Sequence, residues 1–307
     1  MVDISKNRHE AAPSRRRLIM LMTASFGLGA ASVVAATQIR DRIAGPFRHV
    51  RDALAAVTPT AGVKTAISFG DTIPQLVAAG AIDPDKFRSL YVEQGDIPQW
   101  VERLFAAPSG EPILLSAETA PYLLNLLWPL GLSVKATFNE KSPMNGVQLP
   151  SFASTAGWSL GRESNGYVYF NKIEALRFTG EQETRVLDVA TKTFRPCCDN
   201  STYFQDCNHG SALLGLIELA AAQNATTDEL YRIALAANSY WFPSYYDRTA
   251  LYLALFENQS WTDTPPQTIL EARLSSLSGW LRNVNMPLKS ATFLPAVGSM
   301  GQGTCAV

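Results

Sequence analysis

Charge is scarce in this chain of 307 residues: Asp, Glu, Lys and Arg together make up 17%, against about 25% in an ordinary soluble protein. Histidine numbers only three and cysteine four. A disordered chain has high charge and few apolar groups; a hydrophobic content of 47% excludes that class. Neither sign dominates. The formal net charge is −1 and the pI about 6.3, so no overall basic field points to nucleic acid, and no nucleic-acid partner is expected. Eighteen Pro and twenty Gly are near average and exclude collagen-like and low-complexity chains. There is no P-loop, no dinucleotide-binding glycine fingerprint, no EF-hand loop, no C-x-x-C-H haem attachment sequence and no repeat of fixed period. Mean hydropathy near zero leaves room for one membrane segment but not several.

That segment stands at residues 18–36, LIMLMTASFGLGAASVVAA, without a charge. Ser14-Arg15-Arg16-Arg17 precedes it and Val34-Ala35-Ala36 closes it. A cationic start, an apolar middle and small residues at the end are the three parts of an export signal. The order Ser-Arg-Arg-x-apolar-apolar resembles a twin-arginine (Tat) signal, which implies a prokaryotic protein exported already folded. The alternative is an uncleaved anchor, since nineteen helical residues span about 28 Å, close to the hydrocarbon core of a bilayer. Arginine on the N-terminal side keeps that end cytoplasmic in both cases. The rest of the chain is therefore expected outside the cytoplasm, in the periplasm or at the cell surface, with a possible membrane tether through residues 18–36. The first seventeen residues hold five Lys and Arg against two acids, so the remainder carries −4 and two histidines, His49 and His209.

Beyond the signal the patterns are helical. They predict a mainly α fold, a helical bundle-like domain with at most two or three short strands. Three regions are expected: 1–36 as export signal or anchor, 37–140 as an N-terminal helical region, and 141–307 as a C-terminal helical domain. Asp83-Pro84 places an N-cap before proline at the first helical position. Tyr122–Leu130 reads as a helix that Gly131 ends and Pro129 kinks. Residues 139–165 read as a long loop, Lys64–Phe69 as a strand or an extended lead-in, and Gly166–Phe170 as a strand. Further helices are predicted over about 180–191, 210–223, 227–240, 244–258 and 266–284, with Thr226 and Glu229 forming a capping box.

Chemistry concentrates in one stretch, Pro196-Cys197-Cys198-Asp199-Asn200-Ser-Thr-Tyr-Phe-Gln-Asp206-Cys207-Asn208-His209-Gly210. Thiolate and imidazole are ligands for zinc, copper and iron–sulfur centres. Cys197, Cys198, Cys207 and His209 are the candidate metal or redox ligands, with Asp206 and Glu218 as their supports. The spacing is not that of a zinc finger, because adjacent cysteines rarely both reach one tetrahedral ion. Cys207 and His209 fall at the start of the helix predicted from Gly210, where backbone N–H groups favour a thiolate. Glu218 is that helix's only charge, and a buried carboxylate needs a partner or a proton. The competing reading is structural. An exported protein meets oxidising compartments, and four cysteines, Cys305 included, suit disulfides that staple a non-enzymatic binding or scaffold module.

The run PCC…FQDCNHGSALLGLIELAAAQ, with Leu126-Leu-Trp128-Pro-Leu-Gly131 before it and Asn238-Ser-Tyr-Trp241-Phe-Pro243 after it, resembles a family of exported prokaryotic helical proteins over roughly residues 110–250. The resemblance implies an exported helical protein and no particular activity. One further motif matches a known chemistry. Gly157-Trp158-Ser159-Leu160-Gly161 has the G-x-S-x-G form of a hydrolase elbow, and Ser159, Asp188 or Asp206, then His209 follow the order of a triad. The elbow needs a strand before it and a helix after it, and the flanking residues suit neither, so a serine hydrolase is a remote alternative. The aromatics of Tyr240–Tyr246 suit core packing better than a ligand pocket.

Overall fold

The computed structural model describes residues 51–290. The expected export signal over 1–36, His49 and Cys305 lie outside the described residues. The chain divides after Asp52, and the helical core belongs to the unit that begins at Ala53.

The fold is mainly α. Eight helices of six residues or more lie between Thr72 and Tyr252: α1 (Thr72–Ala79), α2 (Pro84–Ser89), α3 (Gln99–Ala106), α4 (Ala120–Ser133), α5 (Gly180–Lys192), α6 (Asn208–Ala222), α7 (Thr227–Trp241) and α8 (Pro243–Tyr252). Two two-residue strands, β1 (Val63–Lys64) and β2 (Leu114–Leu115), pair antiparallel, with Val63 opposite Leu115 and Lys64 opposite Leu114. Thr65 N–H to Ile113 O at 2.9 Å and Ile113 N–H to Ile67 O at 2.8 Å carry the pairing a little further, so only the start of the expected 64–69 strand is regular.

Helix starts follow the local signals. The Asp83 carboxylate accepts from Asp85 N–H at 3.0 Å and Lys86 N–H at 3.3 Å, with Pro84 in the first turn. Thr226 and Glu229 exchange the two bonds of a capping box, and Thr179 and Gln182 do the same for α5.

Other boundaries move for tertiary reasons. Gly166–Tyr169 is a 3₁₀ turn rather than a strand. The stretch 266–284 is not one helix but short helical pieces, Pro266–Leu270, Ala272–Ser275 and Leu277–Trp280, followed by a π-helical turn over Leu281–Asn285. Helix α4 runs through both Pro129 and Gly131. Gly131 is there for contact rather than as a stop. A Cβ on it would fall 2.6 Å from Gly215 N of α6, and a Cβ on Gly215 would fall 2.6 Å from Leu127 O of α4. The two backbones cross where neither carries a side chain.

This α4–α6 pair is the centre of the core and the largest helix–helix interface among the described residues. Helix α6 is buried nearly all round, with Leu213, Leu214, Leu216 and Ile217 fully enclosed; each such side chain contributes about 1.5–3 kcal/mol by leaving water. Helices α5 and α7 pack on α6 from other sides. The N-terminus of α6 is thereby held rigidly, and the cysteine segment leads into it.

Candidate metal centre

The fifteen-residue connection from α5 to α6 has no regular structure, yet its backbone is tied at several points. Phe194 N–H donates to Leu270 O at 2.9 Å, Thr202 N–H to Thr193 O at 2.8 Å, and Leu277 N–H to Cys198 O at 3.0 Å. Ser278 N–H donates to the Asp199 carboxylate at 2.7 Å. At its centre is a residue that sequence reasoning missed, Arg195, which is fully buried. All five guanidinium donors have acceptors. Nε donates to Cys207 Sγ at 3.3 Å, Nη1 to the carbonyls of Asn200 and Ser201 at 2.9 Å each, and Nη2 to Phe204 O at 3.2 Å and Asp206 Oδ1 at 2.8 Å. The loop is wound around one cation. Gly210 makes room for it, since a Cβ there would lie 2.5 Å from Arg195 Nη2.

The wrapped loop brings three sulfurs together. Ligand atoms of Cys197, Cys198 and Cys207 all lie within 4.8 Å of one another, and Cys197 Sγ and Cys207 Sγ are 3.6 Å apart. Adjacent cysteines therefore do come together with the third here, the chain turning at Pro196–Cys197, where Cys198 N–H points back to Arg195 O at 3.5 Å. Cys207 is the N-cap of α6, and its sulfur accepts from Gly210 N–H at 3.4 Å. Sulfurs on one tetrahedral zinc, at ~2.3 Å from the ion, stand about 3.8 Å apart, so the three are close to a single-ion arrangement. Cys207 is buried, and Cys197 and Cys198 are half-buried.

Electrostatics describe a site rich in potential negative charge around one fixed positive one. Burial works against the Arg195 charge, but the sulfurs of Cys207, Cys198 and Cys197 outweigh it and hold the guanidinium above its ordinary value. Cys198 bonds to Cys197, which favours its thiolate, and to Cys207, which opposes it; burial adds to the opposition and pushes Cys198 up to about 12. Asp206 is also raised, by burial first, although it pairs with Arg195 at 2.8 Å. A carboxylate on an arginine ordinarily moves down. Asp206 moves up because it is partly desolvated and competes with Cys207 for the same cation.

Not every expected residue joins the sulfurs. His209 lies outside the three-residue group. Its ring is half-buried against Phe242, with centroids 4.6 Å apart, and Trp241, at 6.0 Å, and its Nδ1 is 2.9 Å from Asn208 Oδ1. Burial holds the imidazole down at about 4, so at neutral pH it is uncharged. Asp206 touches the cluster, 4.0 Å from Cys198 Sγ, while its other oxygen accepts from Asn200 Nδ2 at 2.8 Å. Glu218 sits about 16 Å along α6 from Cys207 at 1.5 Å per residue. It is fully buried, and neither oxygen has a hydrogen-bond partner among the described residues. The partner that a buried carboxylate needs does not stand among them; burial, with the nearby Glu183 adding to it, raises its carboxyl well above the usual range.

The triad reading fails on geometry. Ser159 Oγ is buried without a hydrogen-bond partner among the described residues. Asp188 pairs with Lys192 at 2.6 Å, Asp206 with Arg195, and His209 with Asn208. No strand precedes the G-x-S-x-G segment and no helix follows it directly. No family model, curated protein or solved structure matches the chain. A signal for Arg195 existed in the sequence: it is the one charge between Thr193 and Cys198, directly before the Pro-Cys-Cys turn.

Proposed function

We propose that the protein binds a single soft transition-metal ion, zinc or cuprous copper, on Cys197, Cys198 and Cys207, and does so outside the cytoplasm. The observation that carries the metal reading is the gathering of three sulfurs within 4.8 Å of one another around one buried guanidinium. One arginine compensates one thiolate, and it already shares its charge with Asp206. Against the pull of Cys197, Cys207 and burial keep the proton on Cys198; a bound cation would displace that proton and hold the three sulfurs together, and soft sulfur selects zinc or cuprous ions. An iron–sulfur cluster is less well served, since its usual ligand set is four cysteines spread around several irons. Arg195 orients Cys207 and Asp206, as groups behind a ligand do at many metal sites. The location rests on Arg15, Arg16, Arg17 and the uncharged run after them, and on the family resemblance.

Elemental analysis of protein isolated from its own host tests the metal reading. About one equivalent of zinc or copper per chain is expected, falling to near zero in Cys197→Ser, Cys198→Ser and Cys207→Ser. His209→Ala is expected to keep the ion, because the imidazole stands outside the sulfur group. Metal-free native protein with two reduction-resistant disulfides overturns the reading and favours the stapled scaffold.

A further inference from the structure

The same sulfurs are arranged for a second chemistry. Cys197 Sγ and Cys207 Sγ stand 3.6 Å apart, and closing to the ~2.05 Å of a disulfide asks for about 1.5 Å of side-chain movement. The other pairings are less well placed. Across the trans peptide of Cys197–Cys198 the Cα atoms are about 3.8 Å apart, short of the 4.4–6.8 Å that ordinary disulfides span. Cys198 Sγ, though within 4.8 Å of Cys207 Sγ and in contact with it, is also engaged by Asp206 Oδ1, 4.0 Å away. The two members of the favoured pair also differ in kind. Cys197 is half-buried, within reach of a small molecule. Cys207 is 4% exposed, and its sulfur accepts from Arg195 Nε at 3.3 Å and Gly210 N–H at 3.4 Å, two donors that favour negative charge on it.

We infer that Cys197 and Cys207 form a dithiol–disulfide couple driven by low-molecular-weight disulfides, and that its oxidised form releases the metal. The Cys197 thiolate attacks one sulfur of the small disulfide; that S–S bond breaks and one small thiolate leaves. The Cys207 thiolate then attacks Cys197 Sγ, the mixed S–S bond breaks, and the second small thiolate leaves. The protein gives up two electrons and two protons, and the small disulfide becomes two thiols. The bridge removes two of three metal ligands and leaves only the Cys198 sulfur. The release step rests on the proposed metal site; the couple itself does not.

The test uses the full chain, reduced and metal-free or loaded with zinc, exposed to glutathione disulfide. Remaining thiols are alkylated, the bridges are reduced and labelled with a second reagent, and the peptides are mapped. Cleavage before Asp199 and before Asp206 separates the adjacent pair from Cys207, and fragment ions distinguish Cys197 from Cys198. The expected result is a Cys197–Cys207 bridge with Cys198 carrying the first label, retained in Cys198→Ser and lost in Cys197→Ser. Zinc should appear in a chromogenic chelator in step with bridge formation, and zinc loading should slow the oxidation. A dominant bridge to Cys198, or no bridge among the three, overturns the couple. Oxidised protein that keeps its zinc overturns the release. If the reduced chain takes no zinc but still forms the bridge, the metal site fails while the couple stands. If it takes zinc but forms no bridge, the couple fails while the metal site stands.

Discussion

Two buried ionisable side chains dominate at the scale of single residues, and they are opposites. Arg195 has an acceptor for every donor; Glu218 has a partner for neither oxygen among the described residues. Arg195→Lys supplies one ammonium where five directed N–H groups stood, so the carbonyls of Asn200, Ser201 and Phe204 cannot all be satisfied. A loss of about 3 kcal/mol or more is expected by chemical denaturation, together with weaker metal retention. For Glu218 the sign runs the other way. Its folded carboxyl titrates well above the ordinary 4.5, so between those two values the folded state holds a proton that the unfolded state has lost. Stability is fully present below about pH 4.5 and falls as pH rises, by about 1.4 kcal/mol per unit until the folded value is passed. Glu218→Gln keeps the shape without the proton. The variant is expected to be more stable than the parent at pH 7, with a flatter profile and near equality at pH 4. Parallel pH profiles would show that Glu218 is ionised and stabilised in the folded protein.

At the scale of elements the decisive contact is the glycine crossing of α4 and α6. Two backbone atoms of α4, Leu127 O and Gly131 N, stand 2.6 Å from a Cβ added to Gly215, and backbone cannot rotate away as a side chain can. Gly215→Ala should cost about 1–3 kcal/mol or more through overpacking. Gly180, in the first turn of α5, has nothing within 4 Å of an added Cβ; Gly180→Ala should be neutral or stabilising by up to about 1 kcal/mol. Thermal denaturation of the two variants separates a packing glycine from a merely permitted one. The same crossing explains why Gly131 does not terminate its helix. The intrinsic preference for a stop is worth about 1 kcal/mol, and the close packing it would forfeit is worth more.

For the molecule as a whole the question is where this site operates. Among the described residues no helix is long and apolar enough to cross a membrane, and residues 18–36 are the sequence candidate for a signal or tether. Changing Arg15, Arg16 and Arg17 to Lys is expected to leave precursor in the cytoplasm, read by fractionation and immunoblot. Unchanged export would remove the twin-arginine reading. The compartment matters to the sulfurs, because an oxidising one favours a disulfide and a reducing one favours thiolate and metal.

The predominance of helix, the caps at Asp83 and Thr226, and Cys207 at a helix N-terminus were legible from the residues alone. Each depends on interactions within a few positions of the chain: a side-chain oxygen and the next N–H groups, or the alternation of apolar and polar residues. The density of cysteine between 197 and 207 was equally plain. What only the tertiary structure decided is who meets whom. Arg195 becomes the hub because Asn200, Ser201, Phe204, Asp206 and Cys207 fold back onto one guanidinium. His209 turns aside onto Phe242 because the end of α7 brings that ring beside it, and Glu218 is stranded because the described helices around α6 offer it no cation. Gly166–Tyr169 forms a turn for want of a neighbouring strand to complete its ladder. These outcomes depend on the relative placement of distant segments, which packing sets and local sequence does not encode.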